Sequence, residues 1–301
     1  MKKTVITVAV FWSMLITSVS HADCACDKEN DPDTPINQAI LSIMDVRDNS
    51  LALKLLDEGM QPDTTNACGA GLLLMAAGYN DIYLVQELLV RGANPNIKNF
   101  NGETPVFVAA QISRNKVLEM LLEAGGDPNP ELISCRKQVP YNTPLLGAAV
   151  NNNIEGARLL LEHGADFTIP SSNGATFFDL LLRNGNNLDR ISWLTESLPE
   201  QEKNQANSEL LFEVARRKDM LSELNYLLSM PLNPNYSVGD DAPYNTPLLI
   251  AALAGNIDGV KALIDHGADV NYTNSEGYSL ERIVNEKNIE ELYYLFPSSE
   301  E

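Results

Sequence analysis

Apolar residues recur along this chain in short helical stripes that are written several times in the same order. One half of the pattern reads Thr-Pro-x-x-x-Ala, as in Thr143-Pro144-Leu145-Leu146-Gly147-Ala148 and Thr246-Pro247-Leu248-Leu249-Ile250-Ala251. The other half ends in a Gly-Ala-Asp turn, as in Leu160-Leu161-Glu162-His163-Gly164-Ala165-Asp166 and Ile264-Asp265-His266-Gly267-Ala268-Asp269. Punctuation keeps the same phase. Gly59, Gly92 and Gly125 stand 33 residues apart, and so do Thr143 and Thr176, and Thr246 and Ser279. Each glycine closes an apolar helical run, the place where a left-handed residue ends a helix. Each Thr or Ser opens one, where its hydroxyl accepts a free backbone amide and a following proline is preorganised. The elements predicted are therefore helix, tight turn, helix and extended turn, repeated.

A fixed period of this size predicts a solenoid in which each unit buries its apolar face against the next. About eight units fit. The first runs from Thr34 to Asp63, with extra residues around Asp45–Asn49. The second opens near Gly71-Leu72 without Thr-Pro, the third at Thr104, the fourth at Thr143 and the fifth at Thr176. The fifth turns irregular after Asn184, and Leu188–Leu198 reads as an amphipathic helix with Ile191, Trp193, Leu194 and Leu198 as its apolar positions. A degenerate sixth unit spans about Ser208–Pro231. The seventh opens at Thr246, and the eighth, Ser279–Phe296, closes the stack. Two stretches exceed the period, Pro130–Asn142 and Asn233–Asn245, and both lead into Pro-Tyr-Asn-Thr-Pro-Leu-Leu.

These motifs resemble the ankyrin repeat, and the resemblance covers nearly all of the chain after its N-terminal segment. It implies an all-α solenoid with short hairpin turns that project as fingers, and a surface that holds a protein partner. The histidine common after Thr-Pro-Leu in that family is absent: Leu146 and Leu249 stand there, so apolar packing is expected to replace its hydrogen bond. The small pairs Ala76-Ala77, Ala109-Ala110, Ala148-Ala149 and Ala251-Ala252 remain and let neighbouring helices approach closely. The lengthened fingers serve no need of the stack. Arg136, Lys137, Tyr236, Asp240 and Asp241 are thus contact candidates, with Tyr141 and Tyr244 at the finger bases. The alternative for these two tyrosines is packing on the first helix of their own unit. Trp193 is either an interface anchor or a core residue.

The N-terminus changes the cellular context. Lys2 and Lys3 precede an apolar run, Val5–Val19, and Ser20-His21-Ala22 supplies small residues for cleavage after Ala22. This predicts a signal peptide over 1–22 and a periplasmic or secreted chain. An acidic tail over 23–33, the solenoid over 34–296 and a short acidic tail over 297–301 follow. The apolar run falls short of the roughly 20 residues a span requires. The net charge is −20, and cleavage makes it more negative by the two lysines removed. Such a field disfavours nucleic acid and speeds encounter with a basic protein. An exported chain keeps disulfides, and Cys24, Cys26, Cys68 and Cys135 allow two. With repeats stacked at about 8–10 Å, Cys68 and Cys135 lie two units apart, so the expected bridge joins Cys24 or Cys26 to Cys68.

Candidate chemistry is sparse. The sequence carries no phosphate-binding glycine loop, zinc-protease helix motif or Gly-x-Ser-x-Gly elbow. His163 and His266 occupy equivalent places before the Gly-Ala-Asp turn, where a cation complements the helix dipole. The run Asp27–Asp33 has proline where a calcium loop turns on glycine, and it lacks the late glutamate. The expectation is a monomeric, non-catalytic protein binder without cofactor or metal. Its resemblance to exported bacterial ankyrin proteins suggests an immunity or inhibitor role against a basic secreted toxin or lytic enzyme. The alternative is a scaffold or protective factor for another exported protein, such as a stress-response enzyme.

Overall fold

The computed structural model describes residues 31, 33–46, 48–67, 69–130, 141–184, 187–198, 200–239 and 244–296. Its helices follow in pairs. They are α1 (Pro35–Val46) and α2 (Ser50–Asp57), α3 (Leu72–Tyr79) and α4 (Ile82–Val90), and α5 (Pro105–Gln111) and α6 (Asn115–Glu123). Next come α7 (Pro144–Val150) and α8 (Ile154–Glu162), then α9 (Phe177–Leu181) with a 3-10 turn Leu182–Asn184 and α10 (Asn187–Ser197). The rest are α11 (Glu200–Ala215) and α12 (Leu221–Leu228), α13 (Pro247–Ala254) and α14 (Ile257–Asp265), and α15 (Leu280–Lys287) with a 3-10 helix Glu290–Leu295. Eight pairs thus stand among the described residues, and strand is confined to isolated bridges, Thr65 to Gly71 and Thr273 to Ser279.

The predicted punctuation is what starts and stops the helices. The hydroxyls of Thr104, Thr143 and Thr246 accept from the amides of Phe107, Leu146 and Leu249 at 3.2, 3.2 and 3.3 Å. Thr176 accepts from Asp179, whose carboxylate returns the bond to the Thr176 amide at 3.1 Å. Ser279 caps Arg282. Gly59, Gly92, Gly125, Gly164 and Gly267 have φ between +83° and +103°, which a side chain would strain.

The chain gathers into two compact units that divide between Leu180 and Leu181. In the first, α1, α3, α5 and α7 pack in sequence as one layer, and α4, α6 and α8 form a second. The alanine pairs are fully enclosed, as are Leu74, Phe107 and Leu146, which take the histidine position with 1–3% exposure. Apolar packing does replace the missing hydrogen bond. Phe167, Phe177 and Phe178 close the end of this core, with ring centroids 5.4–5.6 Å apart.

In the second unit, α11, α13 and α15 pack in sequence, and so do α10, α12 and α14. The fifth unit keeps its second helix, since α10 begins eleven residues after the Thr176 cap, as α6 does after Thr104. One expectation needs correction here. The sixth unit does not begin near Ser208, because α11 starts at Glu200. What is missing is the finger between these units. Only Leu198 and Pro199 separate α10 from α11, whereas 163–176 separate α8 from α9. Ile191, Leu194 and Leu198 are buried as predicted, and Thr195 joins them.

Candidate functional site

Short fingers share one construction. The side-chain oxygen of Asn99 accepts from the amides of Asn101 and Glu103 at 3.0 and 2.9 Å, and Gly102 turns the chain with φ +76°. Asn274 does the same for Glu276 and Tyr278, ahead of Gly277 at φ +78°. The side chain supplies the acceptors that a tight turn leaves its amides without.

At the finger roots a ladder of side-chain amides runs from repeat to repeat. Asn96 donates to the Gly125 carbonyl at 3.0 Å and accepts from the Asp127 amide at 2.7 Å. Asn129 repeats this with Gly164 and Asp166 at 2.8 and 2.7 Å. Asn235 repeats it with Gly267 and Asp269 at 3.2 and 2.7 Å. The side-chain amide donates through its nitrogen and accepts through its oxygen, and its length lets both reach the next repeat. Thr168 stands at the position after Asn129 in the series, and its shorter hydroxyl turns back on Asp166 of its own repeat at 2.6 Å. The ladder of the first unit ends there. The recurring Asn-Pro-Asn and Asp-Pro-Asn at 94–96, 127–129 and 233–235 was the available signal for it.

A second set of amides sets the depth at which helices pack. Asn153 caps α8 through Gly156, at 3.0 Å, and donates to the Ala110 carbonyl of the preceding repeat, also at 3.0 Å. Asn256 caps α14 through Gly259 and donates to the Ala215 carbonyl at 2.8 Å. Both are buried. These bonds mark Ala110 and Ala215 as equivalent positions of their own repeats, so the residues that follow them, 111–113 and 216–218, stand at equivalent first-helix ends, each within its own unit.

That row differs between the two units. In repeats two to four it consists of Gly78-Tyr79-Asn80, Gln111-Ile112-Ser113 and Val150-Asn151-Asn152, none of them charged, and Arg114, next after Ser113, donates to the Gly78 carbonyl at 3.5 Å. Tyr79, Gln111, Ile112 and Val150 are half-buried, and Asn80, Ser113, Asn151 and Asn152 are exposed. Helices α3, α5 and α7 themselves contain no charged residue. The acids of these repeats lie on the second helices and turns, many in ion pairs. Arg91 joins Asp57 at 2.9 Å and Glu87, and Arg158 joins Glu155 and Glu162. Both guanidiniums are held above the usual arginine range by hydrogen bonds to those carboxylates.

The residues singled out from sequence fall in separate places. Tyr244 stacks on Tyr278 of the next finger, centroids 4.8 Å apart, and the Arg282 guanidinium lies 4.2 Å from the Tyr278 ring. Arg282 also binds Glu286 and the Gly277 carbonyl. Tyr244 thus braces its finger against that of the following repeat. Burial and then the Tyr278 hydroxyl push its phenol upward. Tyr236 is half-buried, with its phenol pushed upward by burial and then by Glu209. Tyr141 is half-buried, and so is Trp193. His163 and His266 each hold the carbonyl four residues back, Leu159 and Ala262, at 2.8 Å through Nδ1. Arg136, Lys137, Asp240, Asp241 and the four cysteines, Cys24, Cys26, Cys68 and Cys135, lie outside the described residues.

Among the described residues no group of three or more His, Cys, Asp or Glu is placed to hold a metal ion, and no helix is long and apolar enough to cross a membrane. Paired helices, finger turns and an inter-repeat amide ladder define a repeat protein whose surface is made for interaction. A family model of three ankyrin repeats matches residues 39–131 and 72–171, and the single ankyrin repeat model matches 244–275. These matches cover more than half of the chain, which belongs to the ankyrin repeat family. That family is a protein-interaction module. No curated protein matches the chain.

Proposed function

We propose that this protein is an exported binder that neutralises a basic protein, as an immunity or inhibitor protein does for a secreted toxin or lytic enzyme. The observation that carries the reading is the row of uncharged residues at the first-helix ends of repeats two to four, with the cation of Arg114 beside it and no acid within it, in a chain of net charge −20. Cores of protein interfaces are depleted in charge and enriched in aromatic and apolar groups, because a charge must be desolvated before contact. Tyr79, Ile112 and Val150, set among Asn80, Gln111 and Asn151, have that composition. The acids around them supply a negative rim, which speeds arrival of a cationic partner and adds less to final affinity. The signal-peptide pattern of 1–22 places the encounter outside the cytoplasm, in the periplasm of a Gram-negative cell. Residues 130–142 and 233–245 extend the contact at the fingers.

The test begins with capture by the mature chain from a periplasmic extract, followed by purification and identification of the partner. Association should slow steeply as salt rises, while dissociation changes less. Ile112→Lys should weaken binding by tenfold or more, since a buried unpaired charge costs about 1–3 kcal/mol or more. Co-expression should protect cells from the captured partner. A partner that is acidic, or whose binding ignores both salt and Ile112→Lys, refutes the reading. Stimulation of the captured protein instead of inhibition favours the scaffold role.

A further inference from the structure

The positions that hold no charged residue in repeats two to four are cationic in the second compact unit. They are Arg183 within the 3-10 turn, and Arg216, Arg217 and Lys218 after α11, followed by the exposed Asp219. These residues belong to two consecutive repeats. Arg217 donates to the Leu182 carbonyl at 3.4 Å, one residue before Arg183. Lys218 reaches in the other direction, over Gly255 at the end of α13, where an added methyl carbon would stand 3.1 Å from its Nζ. Arg190 donates to the Leu181 carbonyl at 2.7 Å on the same turn. Part of this charge serves the helix ends themselves, whose carbonyls favour cations. Arg190 and Arg217 do that for the shortened α9 turn, and Arg216 is matched by Glu213 at 2.6 Å. Arg183 and Lys218 are both exposed, and neither donates to a helix-end carbonyl in the manner of Arg190 and Arg217.

We propose that Arg183 and Lys218 form a receptor for an acidic peptide segment, one bearing Asp or Glu carboxylates, at the first-helix ends of repeats five and six. The assignment rests on reading the first-helix row as contact surface, as above. It adds that an acidic segment is selected at this row, since a basic segment would meet like charge there. In a chain of this net charge a local attraction for carboxylates would not otherwise be expected.

The probe is a fluorescein-labelled decaglutamate titrated against the mature chain by anisotropy at low salt. Saturable binding is expected. It should weaken about tenfold in Arg183→Glu/Lys218→Glu, since each reversal replaces an attraction by a repulsion of similar size. It should survive in Arg183→Lys/Lys218→Arg, and in Lys116→Glu/Lys261→Glu, whose charges lie on second helices. Absence of saturable binding by a chain with its full helical signal overturns the proposal, and so does equal binding by the double reversal. An oligonucleotide of equal charge that displaces the peptide at lower concentration also overturns it, because the row would then read phosphate. The Ile112→Lys experiment on the captured partner probes the other compact unit, so either reading can fail without the other.

Discussion

Replacing Asn153 by alanine should destabilise the first compact unit far more than a surface substitution does. The side chain makes two bonds that no other group can replace. Its oxygen caps the Gly156 amide at the start of α8, and its nitrogen satisfies the buried Ala110 carbonyl of the preceding repeat. Loss of a helix cap costs about 1 kcal/mol, and a buried carbonyl left without a donor costs about 1–3 kcal/mol. The expected total is about 2–4 kcal/mol, read as a fall in urea midpoint. Gly156 belongs to the same device, since a Cβ there would stand 2.1 Å from the Asn153 nitrogen and drive it out. Gly156→Ala alone should therefore lose most of the same energy. In the Asn153→Ala background the order reverses. The clash has gone, and alanine exceeds glycine in a helix by roughly 1 kcal/mol, so the second substitution should stabilise. A double-mutant cycle by urea melting measures this coupling. Additive losses, or an Asn153→Ala cost below about 0.5 kcal/mol, typical of a surface site, would refute the inter-repeat role given to this amide.

Asn129→Asp keeps the acceptor for Asp166 but loses the donor to Gly164, so it should cost about 1–2 kcal/mol, and Asn129→Ala more, both by urea melting. Tyr236 has a phenol raised by burial and Glu209. The unfolded phenol loses its proton near pH 10 and the folded one higher. Its contribution to stability is thus complete below about pH 10 and falls as pH rises through the folded value. Tyr236→Phe should remove one delayed phase of an ultraviolet phenolate titration and flatten that alkaline loss. Peptide mapping under non-reducing conditions should join Cys24 or Cys26 to Cys68, and a Cys68–Cys135 bridge would contradict the spacing argument. Trimming 130–142 or 233–245 to the length of the other fingers should leave circular dichroism and melting nearly intact while weakening binding of the captured partner. Unchanged binding after both deletions would confine the site to the first-helix rows.

The sequence by itself determined the units, because their signals are local. A threonine hydroxyl caps an amide three residues on, and a glycine at positive φ ends a helix, whatever lies elsewhere in the chain. The alanine pairs likewise announced close helix approach, and the eight pairs of helices follow that punctuation. What only the tertiary structure decided are the bonds and rows that link residues some thirty positions apart. Asn129 and Thr168 are both small polar turn residues, yet one bridges to the next repeat and the other folds back. An amide is long enough to donate and accept across the gap, and the shorter threonine hydroxyl is not. The missing finger itself was hidden by the acceptable helical pattern of Glu200–Ala215, which fills the space in sequence where a turn was expected. Tyr244 and the cationic row were hidden for the same reason. Whether a tyrosine braces the next finger, or Arg183 and Lys218 share one row, depends on how repeats stack, and the stacking register is set by buried amides such as Asn256.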